Sequence, residues 1–292
     1  MLSDLEGKAQ ARQALTRSEL ERVIACPDLV SVGMLGEAAR RAHHNDVVTY
    51  VQVLQVDADM PAEHGDAAEI RLLGRPTSWD HAEARVRQAA AAAGSIAVTG
   101  FTADDLLALA GGDHMALAEG AARLAGAGLA AVASLRIDCL DDAAEVVRAL
   151  RHGGLAVSRA GIREAAGVDT RLSLLERIAA LQDEVGDIRA VSPLPEIDQA
   201  DTPSTGYDDV RTVTVARLLC TSIPSVQVDW AMYGPKLAQV AIAYGADDLD
   251  NVSAIDTLAL GHRRSPKLDI ERQIRAAFVT PAARDGRFQR LT

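Results

Sequence analysis

Strand-like apolar runs alternate along this chain with amphipathic, helix-like segments, and this alternation constrains the fold more than any other feature. The runs are rich in Val, Ile, Leu and Ala, and most have the length of a buried strand. Near-continuous apolar strands joined by helices are typical of a parallel sheet whose faces are covered by helices. The predicted strands are VVTYVQVLQV (47–56), AEIRLL (68–73), SIAVTGF (95–101), LAAVASLRI (129–137), LAVS (155–158), IRAVSPL (188–194), SVQVDW (225–230) and ADDLD (246–250).

Eight strand–helix units in 292 residues favour one (β/α)8 barrel of the TIM type, closed or partly open, over an open doubly wound sheet. The glycine-rich dinucleotide fingerprint and the P-loop pattern are both absent after the first strand, which also argues against a nucleotide-binding open sheet. We therefore expect a single domain, 1–292. Within it, residues 1–45 form N-terminal helices, 46–250 form the barrel, and 251–292 form a C-terminal helical extension.

Two helix starts are predicted near the N-terminus. Ser3 with Glu6, and Thr16 with Glu19, both have the spacing of a capping box, in which the two side chains satisfy free backbone N–H groups at a helix start.

The excess of acidic residues argues against two classes of partner. The chain has 41 Asp and Glu against 30 Lys and Arg, a formal charge of -11. Nucleic acid and anionic membrane surfaces attract basic proteins, so we expect neither as a partner. The N-terminus lacks the apolar core of a signal peptide, and no run reaches the roughly 18 apolar residues of a membrane span. We therefore expect a cytoplasmic protein.

The chain's three cysteines, Cys26, Cys139 and Cys220, are far apart in the sequence. This spacing excludes a disulfide framework and a local metal-binding knuckle. Cys26 and Cys220 lie beside apolar helical runs, so we expect both to be buried and inert.

A barrel places its chemistry at the carboxyl ends of its strands, and here those ends are mostly acidic. Trp230 is predicted to wall the barrel mouth as an aromatic lid. The pair Asp247–Asp248 could do acid–base work, although one of the two must point away from the pocket because side chains alternate along a strand. The predicted mouth residues are Asp57, Asp59, Arg75, Thr99, Phe101, Asp138, Arg159, Glu196, Asp229, Trp230, Asp247 and Asp248.

The loop after the first predicted strand carries Asp57, Asp59, Glu63, His64 and Asp66. Carboxylates and imidazole are competent ligands for divalent ions. However, the spacing matches no EF-hand loop, and no HExxH pattern occurs in the chain. A solvated acidic loop is the simpler interpretation. We assign no metal ligand from the sequence, and metal binding by loop 57–66 stays open.

Three segments near the C-terminus carry a resemblance to a known family: STGYDDVRTVTVARLL, IPSVQVDWAMYGPKLAQVAIAYGADDLD and AARDGRF. They resemble the carboxyl-terminal half of the menaquinone-biosynthesis radical-SAM enzymes, most of all aminofutalosine synthase, and less so dehypoxanthine futalosine cyclase and the deazaflavin synthases. CPDLVSVGMLGEAARRAHHNDVVTYVQV, FTADDL and LLERIAALQDEVGDIRAVSPLP extend the resemblance to nearly the whole chain. The resemblance implies a (β/α) barrel. The retained segments imply a substrate side formed by Tyr50, Asp229, Trp230, Gln239, Asp247 and Asp248. A purely architectural role for the GADDLD segment is an equally good interpretation.

The cofactor motifs of that family are missing. Radical-SAM enzymes hold a [4Fe-4S] cluster with the cysteines of a CxxxCxxC motif after the first strand, and thiolate ligation keeps such clusters bound. Here that position is VDADMPAEHGDA, with no cysteine, and the glycine-rich SAM-contacting segment has no counterpart at GLAAVASLRID. A family histidine is lost at AAGVDT, where only Asp169–Thr170 remains. We therefore expect no cluster and no radical-SAM activity, and the missing glycines count against SAM binding.

These observations leave two functional hypotheses. The first is a catalytically degenerate, aminofutalosine-synthase-like barrel that binds a small molecule or serves as a partner subunit in futalosine-type menaquinone synthesis. As a partner it would associate with an intact paralogue or form a homodimer. The second is an enzyme with cofactor-independent or divalent-metal chemistry at an acidic barrel mouth, formed by Asp57, Asp59, His64, Asp229 and Asp247.

Overall fold

A computed structural model describes residues 2–57, 60–61, 63–164, 167–196, 206–255 and 267–291 of the chain. The nine strands within these ranges belong to one sheet. The strands are β1 Val47–Val56, β2 Glu69–Leu72, β3 Ala97–Thr102, β4 Leu129–Arg136, β5 Ala156–Ile162, β6 Ala190–Pro195, β7 Ser225–Asp229, β8 Asp248–Ser253 and β9 Thr280–Ala283. The helices are α1 Glu6–Gln10, α2 Arg17–Ala25, α3 Leu29–His44, α4 Trp79–Ala93, α5 Ala103–Leu109, α6 His114–Ala127, α7 Ala143–His152, α8 Val168–Val185, α9 Gly206–Leu219, α10 Trp230–Ala243 and α11 Lys267–Ala276.

The sheet closes into a barrel. Strands β1 to β8 pair in chain order, all parallel, and β8 returns to pair with β1. The predicted (β/α)8 barrel is thus confirmed, in its closed form. All eight predicted strands are present, although the eighth runs from Asp248 to Ser253 and so extends beyond the predicted ADDLD segment.

The ninth strand fills a gap beside β1. Only Val53–Val56 of β1 pair with β2, whereas the first four residues of β1 pair with β9. Two backbone hydrogen bonds join the segment after β9 to both sides of the gap. Arg284 N–H donates to Tyr50 C=O, and Gly286 N–H donates to Ala68 C=O. The region expected as a helical extension, 251–292, therefore also contains a strand. The sequence of this strand, TPAA, lacks the apolar pattern that would predict it.

One strand lacks the helix that usually follows it. Along the described residues, β1 is joined to β2 by loop residues alone, whereas each of β2 to β8 is followed by a helix. The helix α3, which precedes β1, packs mainly on α9 and also touches α10. None of the described helices is both long and apolar enough to cross a lipid bilayer.

The barrel interior is polar, while the apolar core lies between the strands and the helices. In β2, Ile70 and Leu72 belong to the apolar core, whereas the alternate residues Glu69 and Arg71 make polar contacts inside the barrel. This pattern follows from the two-residue period of a strand. Charged side chains from several strands therefore meet at the barrel axis.

Candidate functional site

A buried carboxylate, Asp250 of β8, is the centre of the barrel's charged interior. Arg71 of β2 donates two hydrogen bonds of 2.8 Å to its two oxygens, and Arg159 of β5 donates one of 2.7 Å. Arg71 also donates from Nε to Glu69 at 2.8 Å. Burial raises the pKa of Asp250, but the charges of Arg71 and Arg159 outweigh burial and hold the pKa well below its ordinary value. Asp250 is thus a fixed anion.

A second ion pair lies one layer nearer the amino end of the barrel. Arg284, beyond β9, donates from Nε and Nη2 to the two oxygens of Asp248, each at 2.7 Å. Gln227 donates to Asp248 at 2.7 Å, and Thr49 also donates to it. Burial of a charge is costly unless it is paired and hydrogen-bonded, and both conditions are met here.

A small pocket opens above Asp250 at the carboxyl ends of the strands. Its volume is about 160 Å³. Its lining contains both charged or polar and apolar residues, which suits a ligand with both kinds of surface. The lining residues are Arg159, Ser192, Leu194, Pro195, Glu196, Gln227, Val228, Asp229, Met232, Tyr233 and Asp250.

Asp229 ends β7 and caps helix α10 in the wall of this pocket. Its carboxylate accepts the backbone N–H of Met232 at 2.8 Å and the side-chain amide of Asn251 at 3.0 Å. Burial, followed by the negative charge of Asp250, raises the pKa of Asp229 above its ordinary value. The pocket therefore holds two carboxyl groups whose pKa values are shifted in opposite directions.

A β-bulge in β8 orients Asp250 and Asn251. Tyr50 of β1 pairs with Leu249 and Gln52 pairs with Val252, so that Asp250 and Asn251 face a single residue of β1. Asn251 has a φ of 58°, a left-handed conformation that Asn adopts more readily than most residues. The extra residue turns Asn251 toward Asp229 while Asp250 still reaches the arginines.

Glu196 has an unused acceptor in the pocket. Its Oε1 is buried and has no hydrogen-bond donor among the described residues, and it lies 3.6 Å from Nη2 of Arg159. Buried acceptors are normally satisfied, so this oxygen is available to a ligand's N–H or O–H group.

The predicted pair Asp247–Asp248 does not lie at the mouth. Asp247 immediately precedes β8 and Asp248 is its first residue, so both are at the amino end of the barrel. Asp247 accepts hydrogen bonds from Arg217 and from the backbone N–H of Val226, the latter at 2.8 Å. The prediction failed because the strand begins at Asp248 and continues to Ser253, past the end of the ADDLD run.

Three further predicted residues lie outside the pocket. Tyr50 points away from the barrel axis and donates to Glu271 of α11 at 2.8 Å. Trp230 is fully buried in the apolar core, so it forms no lid. Gln239 is half-buried on α10 and does not line the pocket. Of the predicted substrate side, only Asp229 reaches the pocket.

The acidic loop after β1 is described only in part. Asp57 is exposed at the carboxyl end of β1, His64 is half-buried, and Asp59 lies outside the described residues. Across the described ranges, no three His, Cys, Asp or Glu side chains are close enough together to hold a metal ion. Asp57 follows β1 and Asp229 is the last residue of β7, so both lie at the carboxyl end of the barrel, whereas Asp247 precedes β8 and lies at the amino end.

The residues do not fit an iron–sulfur cluster of the expected kind. Cys26 follows α2, Cys139 follows β4 in a 3-10 turn, and Cys220 follows α9. Only Cys139 is therefore near a strand's carboxyl end, and the loop after β1 has no cysteine. Cys220 is buried as expected, whereas Cys26 is only half-buried because it lies at the exposed end of α2.

Sequence reasoning missed Arg71 and Asp250 as site residues. Arg71 lies inside the apolar AEIRLL segment, where the alternation of Glu69 and Arg71 with Ile70 and Leu72 is the signal for two inward-facing charges. Asp250 lies in the ADDLD segment, whose apolar pattern ends before the strand does.

No known family model matches the chain. Aminodeoxyfutalosine synthase from Thermus thermophilus is 30% identical over 139 residues, which cover 42% of this chain and 37% of that protein. Cyclic dehypoxanthine futalosine synthase from Streptomyces coelicolor is 30% identical over 129 residues, or 41% of this chain and 32% of that protein. The matched stretch thus spans about a third of each relative, and less of this chain than the resemblance predicted.

Likeness in structure extends much further. The crystal structure of methylornithine synthase superposes with a TM-score of 0.71 over 95% of this chain and 97% of that one, at 12% identity. That likeness shows the fold alone. The two sequence matches agree with the resemblance described from the sequence segments. Over about two fifths of its length, the chain is thus similar to menaquinone-biosynthesis radical-SAM enzymes such as aminodeoxyfutalosine synthase.

Proposed function

We propose that this chain is a small-molecule-binding barrel that works without an iron–sulfur cluster and without SAM cleavage, as a binding or partner subunit linked to futalosine-type menaquinone synthesis. The observation that carries the proposal is the loop after β1, which has no cysteine and leads into β2 without a helix in its described part. Carboxylates do not replace the thiolates that keep a low-potential cluster bound. The charged pocket lies at the same carboxyl end of the barrel.

The chemistry of the pocket supports a ligand with hydroxyl or amine donors. Glu196 offers a carboxylate oxygen that accepts no hydrogen bond from the described residues and lies 3.6 Å from Nη2 of Arg159. Leu194 and Met232 supply apolar surface in the same pocket. A volume of about 160 Å³ is below the roughly 300–1,000 Å³ of a typical ligand pocket, so it would hold one part of a nucleoside, such as its ribose.

Binding is tested by calorimetric titration of the purified chain with aminodeoxyfutalosine and with cyclic dehypoxanthine futalosine. We expect saturable binding that Glu196→Gln and Arg159→Gln each weaken by about tenfold, the usual cost of a charged hydrogen bond. Lys236→Gln is the matched control, because Lys236 is exposed on α10 and does not line the pocket. Equal loss in all three variants, or no binding of either compound, would contradict the proposal.

The absence of cluster chemistry needs a separate test. Anaerobic reconstitution with iron and sulfide, followed by iron analysis and a SAM-cleavage assay, should give neither stoichiometric iron nor cleavage. A bound cluster that cleaves SAM would overturn this part of the proposal and leave the binding result unchanged.

The partner role has its own test. We expect the chain to co-purify with an intact paralogue. Size-exclusion chromatography with light scattering would identify the alternative, a homodimer.

A second candidate is an enzyme with cofactor-independent acid–base chemistry, favoured by Asp229. Its raised pKa suits a general acid, and the ionised Asp250 stands nearby. Turnover that disappears in Asp229→Asn, with ligand affinity retained, would support this candidate over a binding protein.

A further inference from the structure

A second pocket lies at the opposite, amino-terminal end of the barrel. It has a volume of about 210 Å³. Its walls come from the starts of β1 and β7, from the residue before β6, and from the segment that follows β9. Arg189, Arg284 and Arg290 all line it, in a protein whose formal charge is -11.

The charges around this pocket do not cancel. Arg284 is neutralised by Asp248, and Asp247 is neutralised by Arg217. Arg189 and Arg290 remain, and neither side chain has a hydrogen bond or an ion pair within the ranges that the structure covers. The pocket therefore carries two uncompensated positive charges.

The two free arginines are held on ordered backbone. Arg189 N–H donates to Ser158 C=O at 3.3 Å, and its own C=O accepts from Ser225 N–H at 3.2 Å. The backbone of Arg290 forms a bridge with that of Arg284. Binding therefore requires little further ordering of the backbone, so the entropy cost of binding is small.

A hydroxyl group and an aromatic ring complete the pocket. Ser225 contributes the hydroxyl group, since the hydroxyl of Thr49 already donates to Asp248. The centroid of the Phe288 ring lies 3.9 Å from the Arg284 guanidinium carbon. His44 donates from Nε2 to Pro224 C=O at 2.7 Å. Burial lowers the pKa of His44 to about 4, and the charges of Arg217 and Arg290 act in the same direction.

We propose that this amino-terminal pocket is a binding site for a phosphate dianion, either inorganic phosphate or a phosphate monoester, held between Arg189 and Arg290. Two uncompensated guanidinium groups match the charge of about -1.5 to -2 that a phosphate monoester carries at neutral pH. Guanidinium groups also match phosphate oxygens in geometry. The site is independent of the mouth pocket and of the function proposed for it.

Calorimetric titration of the whole chain with inorganic phosphate, in a chloride buffer of constant ionic strength, tests the site. We expect one saturable site, which Arg189→Gln and Arg290→Gln each weaken by about tenfold. Both side chains are exposed, so the variants should fold, and far-UV circular dichroism checks this. Arg287→Gln is the matched control, because Arg287 is exposed on the same C-terminal segment but does not line the pocket.

The outcomes separate the explanations. Glycerol 3-phosphate binding more tightly than phosphate identifies a monoester as ligand, whereas equal or weaker binding identifies inorganic phosphate. Succinate binding more tightly than both would overturn the phosphate assignment. Failure of phosphate to saturate a site, or an equal loss in Arg287→Gln, would reduce the observation to general surface charge and overturn the proposal.

Discussion

Asp250 and Arg71 join strands β8 and β2 through two hydrogen bonds of 2.8 Å each, across the intervening strand β1. Arg159 reaches the same carboxylate from β5. One side chain thus links three strands around the barrel. The same carboxylate raises the pKa of Asp229 and lines the mouth pocket, so stability and ligand chemistry share this centre.

Asp250→Asn should destabilise the fold strongly. The variant leaves two arginines without their main counter-charge, and breaking a buried pair costs about 3–5 kcal/mol. Chemical unfolding of both proteins measures the difference. Asp269→Asn is the control, because Asp269 forms a surface pair with Arg272 and such pairs contribute about 0–1 kcal/mol. A loss in Asp250→Asn no larger than in this control would contradict the assigned role.

The loss of unfolding free energy caused by Asp250→Asn should also depend on pH. Because the pKa of Asp250 is held below its unfolded value, its stabilising contribution is present above the unfolded pKa of about 3.9 and is lost as the pH falls through the folded value. The gap in unfolding free energy between wild type and variant should therefore narrow below about pH 4. A gap that stays constant from pH 7 to pH 3 would argue against an ionic role.

Asp229→Asn should show the opposite dependence. The folded pKa of Asp229 is raised, so its contribution to stability is fully present below the unfolded value of about 3.9 and is lost as the pH rises through the folded pKa. Relative to the variant, wild type should therefore lose stability as the pH rises from about 4 toward neutral. Unfolding measured at intervals over that range gives the slope, and a slope of the other sign would contradict the raised pKa.

Two glycines of α6 should respond to alanine in opposite ways. A Cβ at Gly120 would lie 2.2 Å from the Trp79 ring, whereas a Cβ at Gly126 meets nothing within 4 Å. Gly120→Ala should therefore destabilise the protein by about 1–3 kcal/mol, as overpacking does. Gly126→Ala should stabilise it by about 0.5–1 kcal/mol, because glycine is unfavourable within a helix. Thermal unfolding of the two variants measures both changes in stability. Equal changes in the two variants would show that α4 and α6 are not packed as described.

The predictability of this chain depends on how local each signal is. The strand periodicity and the Thr16–Glu19 capping box arise from neighbouring residues, and both are present in the structure. Ser3 instead lies in a 3-10 turn, and no side chain caps the start of that turn or of α1. The ion pairs around Asp250 form only when β2, β5 and β8 come together in the barrel, and no short stretch of sequence predicts those contacts. β9 depends likewise on a gap beside β1 that only the closed barrel creates.

The reactivity of the three thiols tests the placement of the cysteines. Cys220 is fully buried, and burial raises the pKa of its thiol to about 12, whereas Cys26 and Cys139 are half-buried. Because the thiolate is the reactive form, iodoacetamide at pH 8 should label Cys26 and Cys139 in the native protein and spare Cys220 by about a hundredfold in rate. Peptide mass spectrometry measures each site, and unfolding in urea supplies the control in which all three react alike. Native labelling of Cys220 at the rate of Cys139 would mean that the α9 end of the core opens readily, which contradicts its burial.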